Sequence, residues 1–364
     1  MGFYPDGYVG RMFERCLRAP QEIPRCEDFA LLSFSLERRR GYVGKNPRSQ
    51  IGSVNSEIVI MARPPLGKLI AFGNQKGGVG KTTTTINVAA ALARKGRSVC
   101  LVDVDNNRGL TRTFSVPEET FRSTFDIFTG QANAGDCLLS GEFSTVLNGE
   151  DTVVHLPERF AIIPASRSLE SLDQVLSKQP KIRPEKHFAR ALADLTSLFD
   201  YVFVDTAPNL TTPTVIAYNT VPWFILTARP GKTAMDSLSD AVQDLLQVKE
   251  FGAEGRLLGV VLTEVDIRTR LSKDIVQFVD EEFRATLENK TVVKLGFENH
   301  ISKTIAIEEA PYAAQTIFDY RSNSRACAEY EALAEEMELR LKNFEKLFGA
   351  ARGQTNTSKL AANE

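Results

Sequence analysis

Gln75-Lys76-Gly77-Gly78-Val79-Gly80-Lys81-Thr82-Thr83-Thr84 places a glycine-rich turn, two lysines and a run of hydroxyls side by side. Before it, Leu69-Ile70-Ala71-Phe72 reads as a buried strand. After it, Ile86, Ala89, Ala90 and Ala93 recur at helical spacing until Gly96 stops the helix. A flexible loop between a strand and a helix N-terminus lets successive backbone N–H groups turn onto phosphate oxygens, and the helix adds its partial positive charge. Lys76, Gly77, Gly78, Val79, Gly80, Lys81, Thr82 and Thr83 are therefore the candidate cradle for a nucleoside triphosphate. In it, Lys81 reaches the β- and γ-phosphates and the Thr82 hydroxyl holds magnesium. The generic pattern has glycine where this chain has Gln75. Lys76 adds a second ammonium so close to Lys81 that the two repel unless a polyanion separates them or one points elsewhere.

Two later strands end in acids. Ser98-Val99-Cys100-Leu101-Val102 delivers Asp103 and Asp105, and Tyr201-Val202-Phe203-Val204 delivers Asp205, followed by Thr206-Ala207-Pro208. In a parallel sheet the carboxyl ends of the strands are where ligands bind. One acid after an apolar strand is a weak signal, but three such elements in this order are a strong one.

The segment KGGVGKTT resembles the deviant Walker A motif of the ParA/MinD superfamily, in which the first lysine crosses a dimer interface to the partner's nucleotide. The resemblance makes Lys76 and Asp105 the catalytic candidates. Asp105, the second acid of a DxD element, positions the attacking water, whereas Asp103 supports the metal side and Asp205 orders the waters of magnesium. Asn106-Asn107-Arg108-Gly109 stands where the family continues Pro-Gln-Gly-Asn.

Leu258 to Ser272 is similar to the partition-ATPase stretch LGVVLTxxDxRTxLS, and Glu309-Ala310-Pro311 to the family's EAP element. The likeness spans roughly residues 67 to 347 and favours the DNA-partitioning branch. There it implies DNA binding without sequence preference at Arg268, with Arg270 and Lys273 beside it and Lys303 in a second basic element. In that element Ala306 takes an arginine position. Implied with these are ATP and Mg2+ as cofactors, an ATP-sandwich homodimer and a ParB-like protein that stimulates hydrolysis. A nucleoid-associated place in the cytoplasm follows.

Regular strand–helix alternation begins near Lys68, which predicts an α/β fold with a doubly wound, mainly parallel sheet of P-loop NTPase type. Phe160 to Pro164, Trp223 to Leu226 and Leu257 to Leu262 read as further strands, Leu169–Leu176 and His187–Leu198 as helices. Residues 1–60 break this pattern and read as a weakly ordered extension, with Met61 an alternative start. Residues 61–348 form the ATPase domain, and 349–364 are expected to be a disordered tail.

Composition narrows the alternatives. The 43% apolar share supports a large core, and a formal net charge of −2 confines any DNA binding to a local patch. Cysteines 16, 26, 100, 137 and 327 lack metal-type pairing, and none lies between Cys137 and Cys327 to bridge an iron–sulfur dimer, which excludes that branch of electron-transfer reductases. His155, His187 and His300 have no ligand spacing. The remaining alternative is a MinD-like, membrane-associated positioning ATPase, for which Leu341 to Gly349 offers an amphipathic segment. Against it, Tyr330, Leu333, Met337, Leu341 and Phe344 form one helical stripe, expected to pack on the core.

Overall fold

Six short apolar runs become six strands buried along almost their whole length, because helices cover both faces of the sheet they form. The computed structural model describes residues 29–35, 55–61, 68–118, 120–250, 255–286 and 292–361. The strands are β1 (Phe29–Ser35), β2 (Asn55–Met61), β3 (Leu69–Gly73), β4 (Val99–Asp103), β5 (Leu139–Ser140), β6 (Glu142–Leu147) and β7 (Glu150–His155). They continue as β8 (Phe160–Ile163), β9 (Tyr201–Asp205), β10 (Trp223–Ala228), β11 (Arg256–Leu262), β12 (Arg284–Thr286) and β13 (Val292–Lys294). Between them lie α1 (Lys81–Arg94), α2 (Gly109–Thr113), α3 (Thr124–Thr129), α4 (Leu172–Lys178), α5 (Pro184–Leu198) and α6 (Thr212–Thr220). The later helices are α7 (Ala234–Glu250), α8 (Arg270–Glu282), α9 (Ile305–Glu309), α10 (Ile317–Tyr320) and α11 (Arg325–Ala361).

The central sheet runs β11-β10-β3-β9-β4-β8-β5, parallel throughout except for β5. The order reverses direction around β3, so the loops after β3, β4 and β9 converge at one end. Asp103 and Asp205 are direct neighbours in the register of β4 and β9. The alanine-rich α1 is buried from Thr84 to Ala93, its small side chains allowing close approach to the sheet on one side and to α11 on the other. Tyr330, Leu333, Met337, Leu341 and Phe344 are all buried, so the apolar stripe of α11 is spent on the core.

Four departures from the sequence reading stand out. The helix expected from His187 starts at Pro184, where proline suits the first helical position. The one expected from Leu169 begins as a 3-10 turn, Arg167–Ser171, before α4. The hairpin β6–β7 forms a separate two-stranded sheet that the sequence reading did not anticipate. Finally, α11 runs to Ala361 through most of the stretch expected to be a structureless tail, since alanine, glutamine, lysine and leucine without proline sustain a helix begun upstream. Residues 362–364 lie outside the described residues.

Within the expected extension, β1 and β2 pair antiparallel from Phe29↔Met61 to Ser35↔Asn55, and β1 meets β12 at Ser33↔Thr286. The rest of residues 1–60 lies outside the described residues.

Candidate functional site

The loop after β3 is held from both sides before it reaches the glycines. Asn74 Nδ2 donates to Thr227 O on β10 at 2.7 Å, while Asn74 Oδ1 accepts from the Lys76 N–H at 2.9 Å. Gly78 and Gly80 have φ of 70° and 79°, the left-handed region in which a side chain is strained. A Cβ on Gly80 would also lie 3.1 Å from Thr263, whose hydroxyl donates to Val79 O at 3.0 Å. The loop is thus pinned to the end of β11.

The two lysines point apart. Lys81 is buried and its Nζ donates to Lys76 O at 3.3 Å. Burial lowers its pKa, opposed by the nearby Asp205 and Asp105 carboxylates. Lys76 is exposed and donates to the Thr233 hydroxyl, just before α7, at 2.8 Å. The repulsion anticipated between the two ammonium groups is relieved by this separation.

Three carboxylates gather opposite Lys81. Thr82 Oγ1 donates to Asp205 Oδ2 at 2.6 Å, while Asp205 Oδ1 is buried without a hydrogen-bond partner. Burial first and then Asp103 push the Asp205 pKa up, and burial does the same to Asp103. An orphaned carboxylate oxygen beside a hydroxyl and two further acids is an all-oxygen set of the kind magnesium takes, and a divalent cation would offset the crowded negative charge. The residues present therefore fit the metal that accompanies a bound triphosphate.

Asp103 has a second task that its position in the sequence did not disclose. Its Oδ1 accepts from the Asp105 N–H at 3.0 Å, and its Oδ2 accepts from Thr111 N at 2.9 Å and Thr111 Oγ1 at 2.7 Å. It organises the loop that carries Asp105, which is itself buried and accepts from Asn107 N at 2.8 Å. Gly109 follows, and a Cβ there would lie 2.9 Å from Thr82 Oγ1, so glycine lets this loop close over the start of α1.

Gln75 is tied down by an acid with no motif around it. Its side chain hydrogen-bonds Asp244 on α7, whose pKa rises to about 6 through burial, with the Gln75 bond lowering it and Asp240 raising it. A carboxyl raised in this way stays protonated in the folded protein after it has ionised in the unfolded chain. Stability is therefore lost as pH climbs from about 4 to about 6 and changes no further above that. Asp244→Asn is expected to flatten this slope, its melting temperature gaining on the wild type between pH 4 and 6 and holding that gain, worth roughly 2 kcal/mol, to pH 8. Thermal melts across this range check it; parallel curves would show that Asp244 does not titrate there.

The basic residues also converge. Val265 bridges Ser302, and Lys303 N donates to Val265 O at 3.4 Å, which brings Lys303 to the loop bearing Arg268. Arg268 is paired, however: its Nε and Nη2 donate to Asp266 Oδ1 and Oδ2 at 2.9 and 2.8 Å, holding the Asp266 pKa down at about 2. Arg270 lies 3.8 Å from Asp274, while Lys273 and Lys303 are exposed. Ala306 is buried and serves packing. Among the described residues no cluster of three or more histidine, cysteine or acidic side chains is placed as a standing metal site, and no helix is long and apolar enough to cross a membrane.

Thr111, Thr233, Asp244 and Thr263 escaped the sequence reading because single threonines and acids carry no local signature. Only Gly109, a small residue at a strand-to-helix turn, offered a hint.

Known proteins are similar to this chain. A family model described as an AAA domain matches residues 67–254. The sporulation initiation inhibitor protein Soj of Bacillus subtilis (strain 168) is 30% identical over 274 residues, covering 75% of this chain and 98% of that protein. The chromosome-partitioning ATPase Soj of Thermus thermophilus is also 30% identical over 274 residues, covering 75% and 96%. Among solved structures, the septum site-determining protein MinD complexed with Mg-ADP, from Pyrococcus horikoshii OT3, aligns with a TM-score of 0.56 at 20% identity over 76% of this chain and 98% of that one. Apo McdA from Cyanothece aligns with a TM-score of 0.59 at 16% identity over 75% and 99%. With the glycine-rich loop, the strand-end acids and these relatives in agreement, the chain belongs to the ParA/MinD-type P-loop ATPases.

Proposed function

We propose that the protein is a partition-type positioning ATPase that dimerises around two ATP molecules, binds DNA without sequence preference and is reset when a ParB-like partner stimulates hydrolysis. The observation that carries this reading is the division of labour between the lysines. Lys81 is buried against the acids of its own site, while the Lys76 ammonium sits at the surface on Thr233, free to exchange that hydroxyl for a partner copy's triphosphate. The backbone N–H groups from Gly77 to Thr83 then cradle phosphate oxygens, and Thr82 and Asp205 hold the magnesium environment. Bound magnesium supplies charge neutralisation at the phosphates. Asp105, placed by Asp103 and Asn107, orients the attacking water.

DNA contact falls to Arg268, Arg270, Lys273 and Lys303. Residues 349–364 are outside this machinery, as is the extension before Met61. The fold needs no membrane for its last helix, since Leu341 and Phe344 are already buried, and the working place is the nucleoid in the cytoplasm.

Arg268→Ala combined with Arg270→Ala is expected to weaken DNA binding equally on unrelated sequences and to reduce its salt dependence, because fewer counterions are released. Asp266→Asn should act in the opposite direction by freeing Arg268. Binding isotherms at several salt concentrations test both, and a double variant that binds DNA like the wild type places the DNA surface elsewhere.

A further inference from the structure

A cavity of about 850 Å3 lies between the loop after β4 and the hairpin β6–β7, with Arg108, Arg112, Ser115, Glu118, Ser144 and Thr152 among its walls. Arg108 is the unusual member. It occupies the position where the family pattern has glycine and adopts a left-handed backbone with φ of 57°, which disfavours a side chain that serves no purpose. It is 3% exposed, and its Nε has no hydrogen-bond partner. The Glu118 carboxylate is its ion-pair partner, and the same carboxylate also takes Arg167 at 3.0 Å, while the exposed Arg112 stands nearby. Glu118 thus serves both Arg108 and Arg167, and Asp151 is the other acid on the cavity walls. Burial, followed by Arg112 and Arg167, lowers the Arg108 pKa, with Asp103 and Glu170 opposing.

We propose that this cavity binds an oxyanion, phosphate or carboxylate, which displaces Glu118 from Arg108 and is held with it by Arg112. Guanidinium forks suit such groups, and the volume lies in the range of small-ligand sites. The Ser115 and Ser144 side chains stand on the walls, and Thr145 Oγ1 donates to Ser115 O, tying the hairpin to the cavity floor. Glu118 acts as an internal stand-in for the ligand.

Occupancy is transmitted to the nucleotide site over a very short path. The Arg108 N–H donates to Asp105 O at 2.8 Å, and Thr111, another wall residue, holds Asp103. A shift of Arg108 therefore moves the loop that positions Asp105, which makes the site a regulator of turnover. This second half rests on the ATPase reading above; the binding itself does not.

The test is calorimetric titration of the full chain with citrate, without nucleotide or magnesium. Lys81→Ala weakens anion binding at the glycine-rich loop and should leave citrate affinity unchanged. Arg112→Glu, at an exposed position, should weaken it at least about tenfold, while Glu118→Gln should strengthen it by a similar factor. Citrate binding that disappears in Lys81→Ala, or that Arg112→Glu leaves intact, overturns the proposal. A glutamate-rich peptide titrated in parallel distinguishes the sources: tighter peptide binding assigns the oxyanion to a protein segment, tighter citrate binding to a free small molecule. In a second measurement, with free magnesium held constant, the bound anion should change ATP turnover in the wild type and not in Arg112→Glu. Citrate binding with no turnover in any sample would sink the ATPase reading and leave the site standing.

Discussion

Asp105→Ala is expected to yield a protein that still dimerises and binds DNA with ATP while its turnover falls by about two orders of magnitude or more, the range typical of losing one catalytic group. The carboxylate is buried in a loop anchored from within: the Asp105 N–H donates to Asp103 Oδ1, and Asp105 Oδ1 accepts from the Asn107 N–H. Orientation of a water matters in the transition state and little in the ground state, so binding should survive the substitution. Single-turnover hydrolysis and size-exclusion chromatography with ATP separate these quantities. An alanine variant that hydrolyses ATP at the wild-type rate would remove Asp105 from the mechanism.

The opposite phenotype is expected of Lys76→Ala. Its ammonium is exposed and, among the described residues, bonds the Thr233 hydroxyl, so fold stability should change by no more than about 0.5 kcal/mol. ATP-dependent dimerisation, hydrolysis and DNA binding should nevertheless be lost together, while monomeric nucleotide binding through Lys81 persists. Sedimentation with ATP, alongside a fluorescent-nucleotide titration, resolves the two. Dimers that still form with ATP in the variant would show that Lys76 does not reach across an interface.

That Lys81, Thr82, Asp103 and Asp205 come together was legible in the sequence because the signal is local. A glycine-rich loop must lie between its own strand and helix, and an acid must follow the strand that carries it, so Lys81, Thr82, Asp103 and Asp205 could be located without coordinates. The central strands were legible for a related reason: burial on both faces leaves an unbroken apolar run. The β6–β7 hairpin was not, since on β6 the buried Phe143 and Thr145 alternate with the exposed Glu142, Ser144 and Val146 over only a few positions. Nor did a basic cluster such as Arg268-Thr269-Arg270 reveal that Asp266 folds back on Arg268, because the geometry of an ion pair between near neighbours depends on the turn joining them. The roles of Asp244 and Thr263 depend on contacts between segments far apart in the chain, which no pattern within one segment encodes.

Thr263 makes the chain mechanically short. It touches Gly80 and holds Val79 O, and the same backbone continues through Glu264, fixed by Arg229 at 3.0 Å, to Asp266 and Arg268. A β-strand resists stretching and its end cannot follow the glycine-rich loop without carrying the next residues along. The glycine-rich loop and the loop bearing Arg268 are thus tied to one short stretch of backbone just beyond β11, itself fixed by Thr263 N donating to Ala228 O at 2.8 Å.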